Sequence, residues 1–249
     1  MSSNIFNSRI DIEAVKNMYN TMPEIWPESD KWYRYTYDKI VSYVNKNIKK
    51  IHINTNSKVV NIGSAGNDYG VLGEHYHVDI AEEKIKNCRR YFVGNAEELP
   101  FVKDFFDFGL CLGSVINYCD PMSVICEISR VLKHGASLFL DFEQSRSFQF
   151  IGSKDYNANA SLVKSFNSGN EDFIWVFSLK HISALCRIHN LTIKNINYFH
   201  IVSPFVYKIC KNEMIAGKFA KLDDIFFNKI PYINKISCNV ILTVQKTSK

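Results

Sequence analysis

Apolar and polar positions follow two different periods along this chain, and the change between them marks out its elements. The set Tyr33, Tyr37, Ile40, Val41, Val44 and Ile48 recurs at the spacing of one helix face, so KWYRYTYDKIVSYVNKNI predicts a helix. Pro23 and Pro27 break the chain ahead of it, around Trp26. From residue 58 the period shortens, and KVVNI, HYHVDI, RYFVG, FFDFGLCL and ASLFLDF read as five successive strands. Helical stretches lie between them. In DPMSVICEISRVLKHG, Asp120 can cap and Pro121 suits the first turn. Val124, Ile125, Ile128, Val131 and Leu132 form the apolar face, and Gly135 follows as a stop signal. After residue 145 the regularity lapses, and SRSFQFIGSKDYNANASLVKSFNSGNED predicts no single element. SLKHISALCRIHN then predicts a helix and LTIKNINYF a sixth strand, before a mostly helical stretch and a last alternating strand, SCNVILTVQK.

Strands alternating with helices imply a parallel sheet covered on both faces, and right-handed crossovers make it doubly wound. The fold expected is α/β, a mostly parallel seven-stranded Rossmann-like sheet with an antiparallel last strand. No internal repeat or low-complexity linker divides it. The expected organisation is one domain, with a helical lid at 1–54, a ligand-binding half at 55–145, and a second half at 146–249 carrying a helical insertion at 203–236. A hydrophobic fraction of 46% and a charged fraction of 22% are those of an ordinary globular protein. No stretch approaches the ~20 apolar residues that span a bilayer, and the start MSSNIFNSRIDIEAVK lacks the apolar core of a secretory signal. Seven cysteines without a C-x-x-C pair fit reduced thiols in a cytoplasmic protein better than a metal site. A net charge of +5 is far below what a dedicated nucleic-acid binder needs, so no nucleic-acid partner is expected.

The candidate chemistry begins at residues 59–70, VVNIGSAGNDYG, where an apolar strand stops at glycine. Such a turn puts backbone N–H groups and a positive helix end beside a ligand. Asp79 ends the next strand, where its carboxylate can accept both hydroxyls of a ribose or cap the helix beginning AEEKI. No lysine follows the turn, which excludes the phosphate loop of the NTPases. The spacing is G-x-x-G rather than G-x-G-x-x-G, and Asp68 near the helix start would repel a pyrophosphate. A phosphate-free, cationic nucleoside is favoured over a nicotinamide dinucleotide.

Three ordered segments, VVNIGSAG, VDIAEEKI and YFVGNAEELPFVKDFFDFGLCLGSVINYC, followed by ISRVLKHGASLFLDFE, resemble the class I S-adenosylmethionine-dependent methyltransferases over residues 55–145. The resemblance implies S-adenosyl-L-methionine as cofactor and methylation of a small-molecule acceptor: a sugar, a lipid-linked intermediate or a secondary metabolite. The alternative is a non-catalytic cofactor-binding or partner-binding protein on the same fold. Carried over, Gly63, Ser64, Ala65 and Gly66 would line the methionine part. Asp79 would bind the ribose, Ile80 would pack beside the adenine, and Asn95 and Ala96 would face its edge. Leu112 and Gly113 would wall the crevice, with Asn117 and Tyr19 completing the cofactor set. Two positions depart from the family pattern: Asn61 and Asn95 stand where the family usually has acids.

Catalytic candidates follow from the rule that ligands in open α/β sheets sit beyond the carboxyl ends of strands. Glu143 after the fifth strand is the first candidate for a base or acceptor-orienting group, with Asp141 two residues earlier. Tyr118 is a second, better suited to covering the cofactor than to moving protons, and His200 after the sixth strand is another candidate base. His75 and His77 share a strand face without a third ligand in view. Trp26 joins Tyr19 as an N-terminal site contact. The insertion at 203–236 carries six lysines among Phe205, Val206, Ile209, Phe219, Phe226 and Phe227, which reads as a cap completing the core, an acceptor lid, or a surface resting on a membrane.

Overall fold

A computed structural model describes residues 10–167, 170–227, 230 and 232–247. Its sheet holds strands β1 (Lys58–Ile62), β2 (Glu74–Asp79), β3 (Tyr91–Val93), β4 (Phe106–Cys111), β5 (Leu132–Glu143), β8 (Leu191–Phe199) and β9 (Asn239–Lys246). They lie in the order β3-β2-β1-β4-β5-β9-β8. The neighbours from β3 to β5 pair parallel, and β9 runs antiparallel to both β5 and β8. The order reverses between β1 and β4, so a crevice opens beyond their carboxyl ends.

Alternation along the strands builds two cores. Val60 and Ile62 face the layer holding α4 (Pro121–Val131) and α5 (Leu179–Ile188), where Val124, Ile125, Ile128, Ile182 and Leu185 are buried. Val59, Phe108, Leu110, Phe139 and Ile241 face the other way, onto Ile40, Tyr43 and Val44 of α2 (Lys31–Ile48). Asp30 caps α2 by accepting from the backbone N–H groups of Trp32 and Tyr33. The helix read as part of a lid is thus a full covering layer. The residues nearer the crevice come from α1 (Ile12–Thr21) and the segment that follows it.

Three features differ from the pattern-based reading. The helix of residues 121–131 stops ahead of Gly135, which instead turns at φ +81 where the β4–β5 register shifts between Phe106 and Phe108. Residues 160–177, left without an element, form an antiparallel hairpin of β6 (Ala160–Asn167) and β7 (Asn170–Phe177). No helix follows the glycine turn among the described residues: 63–73 form turns and irregular backbone only, so the positive helix end expected there is absent. The helix beginning at AEEKI is present as the short α3 (Glu82–Ile85). The insertion contains α6 (Val202–Cys210), α7 (Glu213–Gly217) and two short helical turns. Ala216 packs into a small core with Trp32 and Cys238, while Phe205, Ile209 and Phe219 remain exposed. The side chains of Phe226 and Phe227 lie outside the described residues.

Candidate functional site

β1 ends at a turn whose shape depends on glycine. Gly63 sits at φ +61, and an added Cβ would come within 2.3 Å of Val115. The carboxylate of Asp79 reaches this turn: one oxygen accepts from the Ala65 N–H at 2.8 Å, the other from the Ala81 N–H at 2.9 Å. Burial raises its pKa even against these bonds. Each oxygen keeps a lone pair for a further donor. Asp79 therefore fastens the glycine turn to the end of β2 and does not serve as a side-chain cap of α3, which has none. Ser64 Oγ contacts His77 Nδ1 at 3.0 Å, and burial pushes that imidazole down to about 4. Behind the turn, fully buried Asn61 donates to the Asn67 carbonyl, and its oxygen has no hydrogen-bond partner among the described residues.

A cavity of about 110 Å³ opens on this turn. Gly63, Ser64, Ala65, Asp79, Ile80, Asn95, Ala96, Leu112, Gly113 and Tyr19 line it, which brings together ten of the twelve residues expected to hold the cofactor. Gly66 and Asn117 are not among them. The bareness of Gly66 serves packing against α3, since a Cβ there would lie 2.7 Å from the Lys84 carbonyl oxygen. Asn117 is fully buried; its amide donates to the Glu143 and Trp175 carbonyls and accepts from the Glu143 N–H at 3.0 Å. It fixes the end of β5 rather than facing this cavity.

A second cavity of about 420 Å³ meets the first at Tyr19, Trp26, Tyr33, Gly113 and Tyr118, which line both. Tyr19 and Tyr118 meet edge to face at 6.1 Å, and the Trp26 ring lies 3.4 Å from where a Cβ of Gly113 would stand. Asp141 accepts from the Gly113 and Ser114 N–H groups at 2.6 and 3.1 Å and so holds the β4 turn; burial pushes its pKa up to about 6. Glu143 lines the larger cavity, accepts from Cys238 Sγ at 3.6 Å, and is pushed up to about 7, chiefly by burial. Tyr118 donates to Asp172 at 3.0 Å, tying the boundary to the hairpin.

His200 does not belong to this site. It lines neither cavity, is fully buried, and stacks on Trp32 at 4.4 Å. Thr36 and Ser203 occupy its two nitrogens at 2.9 and 2.6 Å, and burial lowers its pKa to about 3. A base so enclosed reaches no acceptor. Among the described residues no group of three His, Cys, Asp or Glu side chains is placed to hold a metal ion.

Residues 62–140, the segment that carries the glycine turn, Asp79 and the β4 turn, match the family described as a methyltransferase domain. Over that segment the chain is similar to a methyltransferase domain. An uncharacterized protein of Methanocaldococcus jannaschii is 29% identical over 126 residues, a match covering 48% of each. The chain thus spans about half the length of that curated relative. Among solved structures, the Burkholderia thailandensis 1,6-didemethyltoxoflavin-N1-methyltransferase superposes with a TM-score of 0.56 at 12% identity, covering 95% of this chain and 87% of that one. The [4+2]-cyclase SpnF superposes at 0.54 with 14% identity, covering 85% and 81%. At such identities the likeness is one of fold. The donor set of the smaller cavity fits the cofactor of such a domain: a ribose-competent carboxylate, apolar walls at Ile80, Ala96 and Leu112, and a lysine, Lys84, whose ammonium is engaged by the Met22 carbonyl.

The larger cavity is also lined by residues that the sequence pattern did not mark. Leu162, Val163, Lys164, Ser165 and Ile174 come from the hairpin, Gln149 and Phe150 from the turn before it, and Tyr207, Lys211 and Glu213 from the insertion. The apolar run FIWVF and the turn sequence NSGN were the available signs of the hairpin. Nothing local marked Glu213.

Proposed function

We propose that this protein transfers the methyl group of S-adenosyl-L-methionine to a small molecule bound in the larger cavity. One observation carries the reading: two cavities, one with the donor set for an adenosine cofactor and one with a carboxyl group at its strand end, meet at an aromatic boundary over Gly113. When bound, the cofactor supplies an electrophilic sulfonium methyl with a good leaving group. The chain's part is alignment and exclusion of water. Asp79, Ile80 and Ala96 hold the nucleoside end. Gly113, kept bare and at φ +95, leaves room between the cavities, while Tyr19, Trp26, Tyr33 and Tyr118 close the sides. Glu143 stands where an acceptor proton can be taken. Its raised pKa suits a base working near neutrality.

Calorimetry with S-adenosylhomocysteine and a labelled-methyl assay over an acceptor panel test the reading together. Product binding with methyl transfer to at least one acceptor supports it; product binding with no transfer on any acceptor favours a cofactor-binding protein without catalysis. The insertion supports a further contact. Phe205, Ile209, Met214, Ile215 and Phe219 are exposed beside Lys208, Lys211, Lys218 and Lys221, the composition of a helix that rests on an anionic membrane surface. Co-sedimentation with phosphatidylglycerol vesicles but not phosphatidylcholine vesicles is the expected result. No helix among the described residues is long and apolar enough to cross a membrane.

A further inference from the structure

The larger cavity has a chemical bias. Glu143 reaches it from the end of β5 and Glu213 from α7, so two carboxyls from distant parts of the chain share one space. The rings of Trp32, Tyr33 and Tyr207 line the same space. Asn239, the first residue of β9, also lines it; the residue is only 2% exposed, and its side-chain oxygen has no hydrogen-bond partner among the described residues. A buried acceptor left without a donor is unfavourable, and a ligand that donates N–H bonds removes that cost. The lysines that border the cavity, Lys154, Lys164 and Lys211, are exposed to solvent. Two carboxyl groups and an unpaired acceptor therefore face this space, with the lysines on its solvent-exposed side and the Lys211 ammonium 5.8 Å from the Tyr207 ring.

We propose that the acceptor is an amine, received as its ammonium ion between Glu143, Glu213 and Asn239 and against the rings of Trp32, Tyr33 and Tyr207. The inference rests on the methyl-transfer reading above. An ammonium ion is attracted both by carboxylates and by aromatic faces, whereas an alcohol gains neither attraction and a carboxylate is repelled. The electrostatics agree. Burial pushes Glu213 up to about 8, with Asp30 and Glu143 adding to it, so a cation between the two carboxyls stabilises their ionised forms. For transfer, the ammonium gives a proton to Glu143. The nitrogen lone pair then forms the N–C bond to the sulfonium methyl as the C–S bond breaks. The electron pair of that bond stays on sulfur, leaving a neutral thioether and an N-methylated ammonium.

The test is binding to the complex with S-adenosylhomocysteine, measured by calorimetry at pH 8.5. Benzylamine, phenethylamine and tryptamine are each compared with the alcohol and the carboxylate of the same skeleton. At least one amine is expected to bind ten-fold or more tightly than its alcohol, with the carboxylate weakest. In Glu213→Gln that preference is expected to fall at least five-fold while affinity for S-adenosylhomocysteine holds. Alcohols or carboxylates binding as well as the amines, no amine binding at all, or a preference unchanged in Glu213→Gln and in Asn239→Leu would each overturn the proposal. Loss of S-adenosylhomocysteine binding by the unaltered protein would instead refute the methyl-transfer reading beneath it.

Discussion

Replacing Asp79 by alanine probes the smaller cavity at its most connected residue. The carboxylate accepts from the Ala65 and Ala81 N–H groups, so the substitution strips the glycine turn of its tie to β2 as well as removing a partner for a ribose. Hydrogen bonds to a charged acceptor contribute about 1.5–3 kcal/mol each. Desolvation of the carboxylate, visible in its raised pKa, offsets part of the two seen here. A net stability loss of about 2 kcal/mol is therefore expected. Loss of the ribose contact is a separate effect on the ligand, about 1.5–3 kcal/mol, or at least ten-fold in Kd. Asp79→Asn separates the two effects. It keeps the shape and one acceptor oxygen, so it can retain one of the two backbone bonds while losing the charge. Titration calorimetry with S-adenosylhomocysteine, run beside thermal unfolding of the same samples, reads both quantities. If folded Asp79→Ala bound the ligand as tightly as the parent, Asp79 would be a turn anchor alone and the ribose assignment would go.

Glu143→Gln should leave S-adenosylhomocysteine affinity intact and slow methyl transfer by about 100-fold or more if the carboxylate is the base; single-turnover rates with a saturating acceptor decide it. Gly63→Ala should cost about 2–4 kcal/mol, from positive-φ strain and overlap with Val115, and Val115→Ala should recover part of that loss in thermal melts. Stability of the unliganded chain should depend on pH in a definite direction. Glu143 at about 7 and Glu213 at about 8 lie above the ordinary 4.5, so the folded state holds extra protons and loses stability as pH rises through that range. His77 at about 4 and His200 at about 3 lie below 6.5, so their contribution is lost as pH falls below 6.5. Thermal midpoints should rise from pH 8.5 to 6.5. At about 1.4 kcal/mol per pH unit, the Glu213 part amounts to at most about 2 kcal/mol and should vanish in Glu213→Gln. A flat profile would mean that the two carboxyls are not enclosed together with Asp30, Tyr33, Tyr207 and Cys238, the groups that share their fields.

The cofactor side was legible because it is local. KVVNI and LTIKNINYF form strands with those bounds, and Lys31–Ile48 is the helix that its apolar stripe predicts. A glycine turn and an acid at the ends of adjacent parallel strands are neighbours, and β1 and β2 pair parallel with Ile62 opposite Val78. Sequence order thus places Asp79 beside residues 63–65, even though the described residues 63–73 between the two strands hold no helix. Where the rule of strand ends misled, the sheet order explains why. Glu143 and His200 both follow strands, but β5 adjoins β4 near the reversal of strand order, whereas β8 lies at the far edge. There α2 packs over the chain, and His200 becomes a stacking partner of Trp32.

The larger cavity was illegible for the opposite reason: each of its groups depends on contacts between segments that sequence pattern treats as unrelated. Glu213 looks like one more acid on a lysine-rich insertion. It faces the cavity only because Ala216 and Gly217 pack closely on α2, where a Cβ at Gly217 would lie 2.7 Å from the Trp32 backbone nitrogen. Asn117 looks like a strand-end ligand, yet its amide is fully spent on the Glu143 and Trp175 backbones, and that is what points Glu143 inward. On the reading proposed above, acceptor choice resides in packing between the hairpin, the insertion and α2. Exchanging Gly217 for a larger residue should disturb acceptor binding without touching the cofactor turn, because the close approach it permits sets where Glu213 stands.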